Sequence, residues 1–269
     1  MRKRLLLGTV ILALFVLGGC THSKTATTNV SKTSNTEQSQ STNSVTEKHS
    51  STTTTTQTTT AASTTESAST NPSKELQSAF PKEKTPTASV EHPQTDLNIA
   101  VANETNRFSV LYFDMKQSLV LNDQALNNQQ PIAHFEKKSY SSEEEAKEAV
   151  NQLNGSDGVA TVDLGYGITG YQQGAAGSTY LSWNEGNWSL YVQASDIEGQ
   201  DPIPTAKKVV AFLEKNYLPA PKTVGQIAIH LNMNDYQANQ IIWQDHKLVY
   251  TISHSDTIAA LKMAVSMGQ

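Results

Sequence analysis

Cysteine is nearly absent from this chain, because its 269 residues contain only Cys20. A single cysteine excludes a disulfide scaffold and any zinc site built on several thiolates. No apolar run reaches the roughly 18 residues of a membrane-spanning helix, so we expect no such helix. Aromatic residues are also scarce at first: 16 of the 18 lie at or after Asp96. The capacity to form a core is therefore concentrated in residues 96–269.

Positive charge is scarce in that same region. Residues 96–269 carry 11 basic and 19 acidic side chains, a net charge of −8. The largest basic clusters are the pairs Lys137-Lys138 and Lys207-Lys208. This balance disfavours polyanionic partners, and we expect no nucleic-acid binding.

Motifs for catalysis and cofactors are missing as well. The sequence contains no G-x-S-x-G elbow, H-E-x-x-H helix or P-loop. Gly165–Gly170 matches G-x-G-x-x-G, but no helical run follows the third glycine, as a dinucleotide site would require. We expect a strand or loop with bulges there, and no cofactor.

Metal-ligating residues are present without a metal-ligand spacing. The acidic segment from Asp196 to Asp201 lacks the spacing and the closing glutamate of a calcium loop, so we expect a solvated turn. The histidines of this region do not fall at zinc-ligand intervals, and we expect half-exposed strand and turn positions. They are His134, His230, His246 and His254.

The N-terminus has the layout of an export signal. Arg2, Lys3 and Arg4 precede an apolar run from Leu5 to Leu17, which is too short to be a stable membrane span. The following Leu17-Gly18-Gly19-Cys20 resembles the lipobox of bacterial lipoproteins. That resemblance implies cleavage between Gly19 and Cys20 and a diacylglyceryl anchor on Cys20. The alternative is an ordinary signal peptide or an uncleaved anchor.

Residues 20–95 read as a lipidated cysteine followed by a disordered tether. Residues 21–60 contain 16 Thr and 8 Ser, and residues 21–95 contain no glycine and one aromatic. Such a segment cannot bury enough apolar surface to offset its chain entropy. Its mean span is about 50 Å for a flexible chain, which suits a spacer between membrane and domain. Within it, residues 74–80 are expected to form no more than a transient helical turn.

The globular region predicts strands and hairpins first. β-branched and aromatic residues predict strands at 107–115, 131–139 and 159–164. Two hairpins are predicted, one over residues 180–193 with its turn at 184–187 and one over 241–252 with its turn at 244–247. A glycine-rich stretch separates the third strand from the first hairpin.

Three helices are predicted among these strands. One runs from Ser142 to Leu153 with a capping box at its start and Asn154-Gly155 as its stop. A second begins near Pro204 and runs to about Asn216, with an apolar stripe that includes Tyr217. The last is capped by Ser255.

Each hairpin is followed by a helix, and the two pairs form a weak repeat. The offset is 60 residues from Trp183 to Trp243 and 59 from Tyr191 to Tyr250. We predict an α+β fold of antiparallel hairpins with helices on one face, arranged as two ββα units. It occupies residues 96–269, with a sub-boundary near 219–224. The hairpin and helix over 180–267 resemble uncharacterised surface lipoproteins of low-GC Gram-positive bacteria, and the resemblance implies a cell-surface lipoprotein with no known catalytic residue.

Aromatic residues are densest between Tyr166 and Tyr191. Exposed Trp and Tyr rings are rigid platforms for sugar rings or peptide side chains. Core packing accounts for most of these rings, and one or two exposed aromatics would be enough for a binding face. The candidate binding aromatics are Tyr171, Tyr180, Trp183, Trp188 and Trp243.

These features together predict a lipoprotein on the outer face of the cell membrane, with a non-catalytic binding domain. The expected partners are the membrane, through Cys20, and a cell-wall glycan or an envelope protein. One alternative is a cell-wall glycan hydrolase using carboxylates in 157–201, such as Glu185 with Asp196 or Asp163. Another is a small accessory binding protein for a transporter.

Overall fold

The computed structural model describes residues 71–86, 96–153 and 160–268. Contacts divide the chain into Met1–Ala61 and Ala62–Gln269, and every described residue belongs to the second unit. The predicted signal peptide, Cys20 and most of the predicted tether lie outside the described residues. Within the described ranges, no helix is both long and apolar enough to cross a membrane.

A single mixed sheet of ten strands dominates the described part of the chain. In the sheet the strands follow the order β1-β2-β3-β10-β9-β8-β7-β6-β5-β4. Neighbouring strands are antiparallel, except that β7 and β8 are parallel. The strands are β1 (Asp96–Asn103), β2 (Arg107–Met115), β3 (Ala133–Ser139), β4 (Ala160–Gly165), β5 (Ile168–Ala175), β6 (Ser178–Glu185), β7 (Trp188–Ser195), β8 (Gly225–His230), β9 (Asn239–Asp245) and β10 (Leu248–His254).

The helices close successive groups of strands. They are α1 (Pro72–Ala79), α2 (Glu143–Val150), α3 (Ile203–Leu213) and α4 (Thr257–Met267), with a 3₁₀ helix at Gln124–Asn128. Three antiparallel groups each lead into a helix: β1 to β3 into α2, β4 to β7 into α3, and β8 to β10 into α4. In the sheet, the third group lies between the first two. The predicted α+β class is confirmed, and the two predicted ββα units are the ends of the second and third groups.

The main core lies on one face of the sheet. Leu76 of α1, Val209 of α3 and Leu261 of α4 are buried in it together with side chains of most of the strands. Helix α2 is different, because its Ala146 and Val150 form a separate cluster with Val249. Residues 249 and 252 of β10 point to opposite faces, and Ile252 belongs to the main core, so α2 packs on the other face. The prediction that all helices share one face is therefore wrong for α2.

Helix α1 corrects the prediction of an unstructured tether. Leu76 is buried in the main core and the ring of Phe80 contacts that of Phe108 edge-on, with ring centres 5.2 Å apart. Lys84 Nζ donates to the Met267 carbonyl oxygen over 2.8 Å, and Glu83 pairs with a lysine of β3. Two apolar side chains spaced four residues apart on a helix suffice to dock it, although the segment around them is polar.

Local signals placed several boundaries correctly and missed others. Strand β2 spans the predicted residues, and Ser142 caps α2 by accepting from the Glu145 amide over 3.1 Å. That helix ends at Val150, because Asn151 takes a left-handed φ of 52°. The predicted stop at residues 154–155 lies outside the described residues. Asp256, rather than Ser255, caps α4 by accepting from the Ala259 amide over 2.8 Å.

Two strands and the end of one helix were not predicted correctly from the sequence. Residues 96–103 and 225–230 form β1 and β8, and no strand was predicted at either place. Helix α3 ends at Leu213, and Tyr217 is 86% exposed. The prediction that Tyr217 belongs to the apolar stripe of this helix is therefore wrong. Segment 219–224, the predicted sub-boundary, joins α3 to β8, and both elements belong to the second unit.

Candidate functional site

The three tryptophans among the candidate binding residues are core residues. Trp183 is 0% exposed and Trp243 is 3% exposed, with the Trp243 ring stacked 5.1 Å from that of Tyr250. Trp188 is 8% exposed and lies 6.4 Å from Trp243, ring centre to ring centre. The expectation that these indoles form an open platform is wrong, because their strands direct them to the helix-covered face.

The two candidate tyrosines lie on the opposite face of the same strands. Tyr171 of β5 pairs with Ser182 of β6, and Ser182 pairs with Tyr191 of β7. Tyr180 lies on the same side, opposite Gln193. Paired residues of neighbouring strands point to one face, so the register brings three tyrosines together on three adjacent strands. All three are half-buried.

We call this surface the tyrosine face. It is the open part of the sheet side that faces away from the main core, and its side chains are half-buried or exposed. It comprises Tyr171, Gln173, Tyr180, Ser182, Tyr191, Gln193, His230 and Gln240. Towards the other end of the strands, α2 and the residues after it cover the sheet: the Leu153 amide donates to Gln226 Oε1 over 2.7 Å, and Ser189 bonds to the Leu153 carbonyl.

The tyrosine face is free of full charges along five strands. Every side chain that β5 to β9 direct to this side is neutral, aside from the titratable His230. Strict alternation along each strand assigns this set. It is Thr169, Tyr171, Gln173 and Ala175 of β5, Ser178, Tyr180, Ser182 and Asn184 of β6, Ser189, Tyr191, Gln193 and Ser195 of β7, Gln226, Ala228 and His230 of β8, and Gln240, Ile242 and Gln244 of β9.

Three rings of the tyrosine face, those of Tyr180, Tyr191 and His230, form a connected series. The Tyr180 and Tyr191 ring centres are 6.3 Å apart, and the Tyr191 ring meets the His230 ring edge-on at 5.6 Å. His230 Nδ1 lies 2.8 Å from Gln193 Oε1, which can only accept, so Nδ1 carries the proton. His230 Nε2 then accepts from the Tyr191 hydroxyl over 3.2 Å. These bonds fix ring orientations before any ligand arrives.

Partial burial shifts the pKa values in this series. Burial raises the pKa of Tyr191, with a smaller contribution from Tyr180, and it lowers the pKa of His230. Both shifts favour the neutral form. The series is therefore a neutral hydrogen-bonding surface at neutral pH.

Of the eight residues of this surface, only Tyr171 and Tyr180 were candidates from the sequence. Among the six that were missed, Tyr191, Gln193 and His230 form the hydrogen-bonded part of the series. In β7 the alternation of buried Leu190 and Val192 with polar neighbours was a usable signal. His230 could not be placed, because β8 was not predicted.

The remaining histidines are divided between half-exposed, exposed and buried positions. His134 is half-buried, with Nε2 3.0 Å from the Ser109 hydroxyl, and burial followed by the charge of Arg107 lowers its pKa to about 4. His246 is exposed in the turn between β9 and β10. His254 is buried and accepts from the Asp256 amide over 2.7 Å, so the expectation of half-exposure is wrong for it.

The carboxylates considered for glycan hydrolysis do not converge. Asp196 accepts from the hydroxyl of Thr179 over 2.7 Å, so it lies near the start of β6. Glu185 is the last residue of that strand. Six residues of strand separate them by roughly 20 Å, against the about 5–10 Å of a glycosidase pair. Asp163 pairs with Thr169 and points to the tyrosine-face side, while Glu185 points to the core side. None of these pairs can share a substrate bond.

The glycine motif and the acidic loop are structural. Tyr166 and Gly167 form the turn between β4 and β5 with φ of 54° and 79°, and the pairing shifts register between Asp163 and Gly165. Asp201 accepts from the Ile203 amide at the start of α3 over 2.9 Å. Across the described ranges, no group of three or more His, Cys, Asp or Glu side chains is placed to hold a metal ion.

A concave surface lies on the core side, at the end of the β6–β7 hairpin. We call it the hairpin groove. It has a volume of about 450 Å³, within the usual range of ligand sites. Trp188 and Leu190 line one wall, and Leu213 together with residues 216–221 lines the other. Exposed Tyr217 is at its rim.

One carboxylate enters this apolar groove. Glu185 Oε1 accepts from Trp183 Nε1 over 2.8 Å. Burial raises the pKa of Glu185, the Trp183 bond opposes that rise, and the charge of Glu214 adds to it. No basic side chain is among the residues that line the groove.

Comparison with known proteins adds no assignment, since no protein-family model, curated protein or solved structure matches the chain.

Proposed function

We propose that this protein is a lipid-anchored module of the cell envelope that binds a neutral cell-wall glycan through the tyrosine face and performs no catalysis. The observation that carries the proposal is the uncharged side of β5 to β9 with tyrosines on three adjacent strands. The anchor is proposed from the lipobox at Cys20.

The chemistry of the tyrosine face supports a neutral, hydroxyl-rich ligand. Tyrosine rings offer flat apolar surface at a low cost in conformational entropy, and glutamine amides both donate and accept hydrogen bonds. An anionic ligand would lose hydration here without gaining a countercharge, so the surface discriminates against it. The folded region's net charge of −8 adds long-range repulsion of anionic polymers.

Binding to isolated wall fractions tests the ligand. The full chain is incubated with intact cell wall, its separated glycan and its protein fraction. We expect retention on the glycan, and at least a tenfold loss of retention in Tyr171→Ala and Tyr180→Ala. Tyr166→Ala is the matched control, because this tyrosine is 61% exposed at the β4–β5 turn, outside the tyrosine face. Retention on the protein fraction alone would favour an envelope protein as partner and contradict the glycan.

The anchor is tested separately at Cys20. Cells that express the chain are labelled with a tagged fatty acid and fractionated. We expect label on the wild-type chain in the membrane fraction, whereas Cys20→Ser should carry none and leave the mature membrane pool. Equal membrane retention without label would contradict lipidation and favour an uncleaved signal sequence as the anchor.

A further inference from the structure

The hairpin groove places a carboxylate where the protein supplies no countercharge. Glu185 is the single acidic residue among those lining the groove, and neither a lysine nor an arginine lines it. In the described part of the chain, no ion pair is formed by Glu185, whose neighbour Glu214 carries the same charge. A half-buried carboxylate in this position is an incomplete pair, since an isolated charge next to apolar surface costs free energy.

The walls of the groove fit an aliphatic stem. Trp188, Leu213 and Leu218 are among the residues that line it with apolar surface. Tyr217 is 86% exposed at the rim, which leaves an aromatic ring available to a ligand. A long side chain with a cationic end lays its methylene groups on such a surface and keeps its charge at the polar end. An ammonium group there is also attracted by the faces of aromatic rings.

We infer that the hairpin groove binds a lysine side chain of a partner polypeptide, with the stem against Trp188 and Leu213 and the ammonium group at Glu185. Lysine is favoured over arginine because Glu185 Oε1 already accepts from Trp183 Nε1. An ammonium group is a point charge that one carboxylate oxygen can satisfy, whereas the guanidinium fork is best matched by two oxygens. This site is on the opposite side of the sheet from the tyrosine face, so it is independent of the proposed glycan binding.

The test uses a lysine probe and its uncharged twin. Nα-acetyl-lysine-N-methylamide is titrated into the ¹⁵N-labelled full chain, and the indole N–H signal of Trp188 is followed by NMR. We expect saturable binding of this probe and at least tenfold weaker binding of the Nε-acetylated form, which keeps the stem and loses the charge. Equal affinities for the two forms, or no saturable shift of Trp188, would overturn the inference.

Two variants separate the groove from general effects. Glu185→Gln keeps an acceptor for Trp183 Nε1 and removes the charge, and we expect it to weaken the probe at least tenfold with the rest of the spectrum unchanged. Tyr217→Ala should weaken binding of the probe severalfold. This substitution removes an exposed ring and leaves the core intact. Glu198→Gln, at an exposed loop beyond the other end of the hairpin, is the matched control and should bind as the wild type does. Full affinity in Glu185→Gln would also overturn the inference.

Discussion

Gly225 lies directly against the indole ring of Trp188. A Cβ atom at position 225 would stand 2.5 Å from Cε3 of that ring and 2.8 Å from two further ring carbons. The absence of a side chain at the start of β8 therefore decides where Trp188 can lie, and with it the shape of the hairpin groove.

Replacing this glycine tests the contact. Gly225→Ala must displace the Trp188 ring, and we expect it to destabilise the chain by about 1–3 kcal/mol, as overpacking usually does. Gly174→Ala is the matched control, because that glycine is also in a strand and nothing lies within 4 Å of its Cβ position. Urea unfolding of both variants checks the difference. An unchanged midpoint for Gly225→Ala would mean that Trp188 repacks freely.

The indole of Trp183 tests the assignment of the tryptophans to the core. Trp183→Ala removes a fully buried ring, and we expect it to cost about 3–5 kcal/mol or to prevent folding. Tyr180→Ala, from the same strand but the other face, should cost far less. Near-UV circular dichroism and urea unfolding measure both. A folded Trp183→Ala chain of nearly normal stability would contradict the burial described for this residue.

Helix α1 supplies a further test of stability. Leu76→Ala should destabilise the chain by about 2–5 kcal/mol, because Leu76 is buried against the sheet. Gln77→Ala changes an exposed neighbour in the same helix and should leave stability within about 0.5 kcal/mol of wild type. A fragment that begins at Asp96 should unfold at lower urea than one that begins at Asn71. Equal midpoints would show that α1 does not stabilise the sheet.

His134 makes stability depend on pH in the acidic range. Its pKa is lowered to about 4 in the folded chain from 6.5, so the unfolded state binds the proton first as pH falls. Its contribution to stability is therefore complete above about pH 6.5 and is lost as pH falls towards 4. Between about pH 7.5 and 4.5 we expect a loss of about 2–3 kcal/mol that His134→Gln does not show. His246→Gln, at an exposed turn, should retain the wild-type loss in urea titrations at both pH values.

Neutralising Glu185 should stabilise the unliganded chain. Because burial raises its pKa above 4.5, the folded state favours the protonated acid, and stability is lost as pH rises through the folded pKa. Glu185→Gln removes this loss, so we expect a higher urea midpoint than wild type at about pH 7. The difference should vanish near pH 3, where the wild-type carboxyl is protonated in both states. A lower midpoint at pH 7 would show that the carboxylate is stabilising in the folded chain.

The sequence predicts individual elements of this fold better than their arrangement. Strand β2 and the start of α2 follow from local chemistry, namely β-branched residues and a serine cap. Strand β1 does alternate, because Leu97, Ile99 and Val101 face the main core, so its signal was present in the sequence and was not used. Strand β8 is buried on both faces and short, so its sequence does not show which partners it pairs with. The position of helix α2 was also not predictable. A helix's own amphipathicity shows which of its sides is buried, but it does not specify which face of a sheet the helix covers.

The two predicted ββα units show why the exposed tyrosine could not be identified from the sequence. Trp183 and Trp243 occupy equivalent positions, but Trp183 pairs with Leu190 whereas Trp243 pairs with Tyr250. The offset of 60 residues at the tryptophans and 59 at the tyrosines is the visible sign of this difference. One residue along a strand moves a side chain to the other face. Tyr191 is consequently on the open side and Tyr250 is in the core, which aromatic density alone could not predict.

The attachment of α1 determines how the folded unit bears tension. A pull on the chain before Asn71 loads α1 before it loads the sheet, because Leu76 and the bond from Lys84 to the Met267 carbonyl hold this segment. A few side-chain contacts of this kind can break by themselves. Separation of β1 from β2 would instead require that the backbone hydrogen bonds of a whole ladder break. We therefore expect such a pull to detach α1 before it opens the β1–β2 ladder, which is several strands away from the tyrosine face.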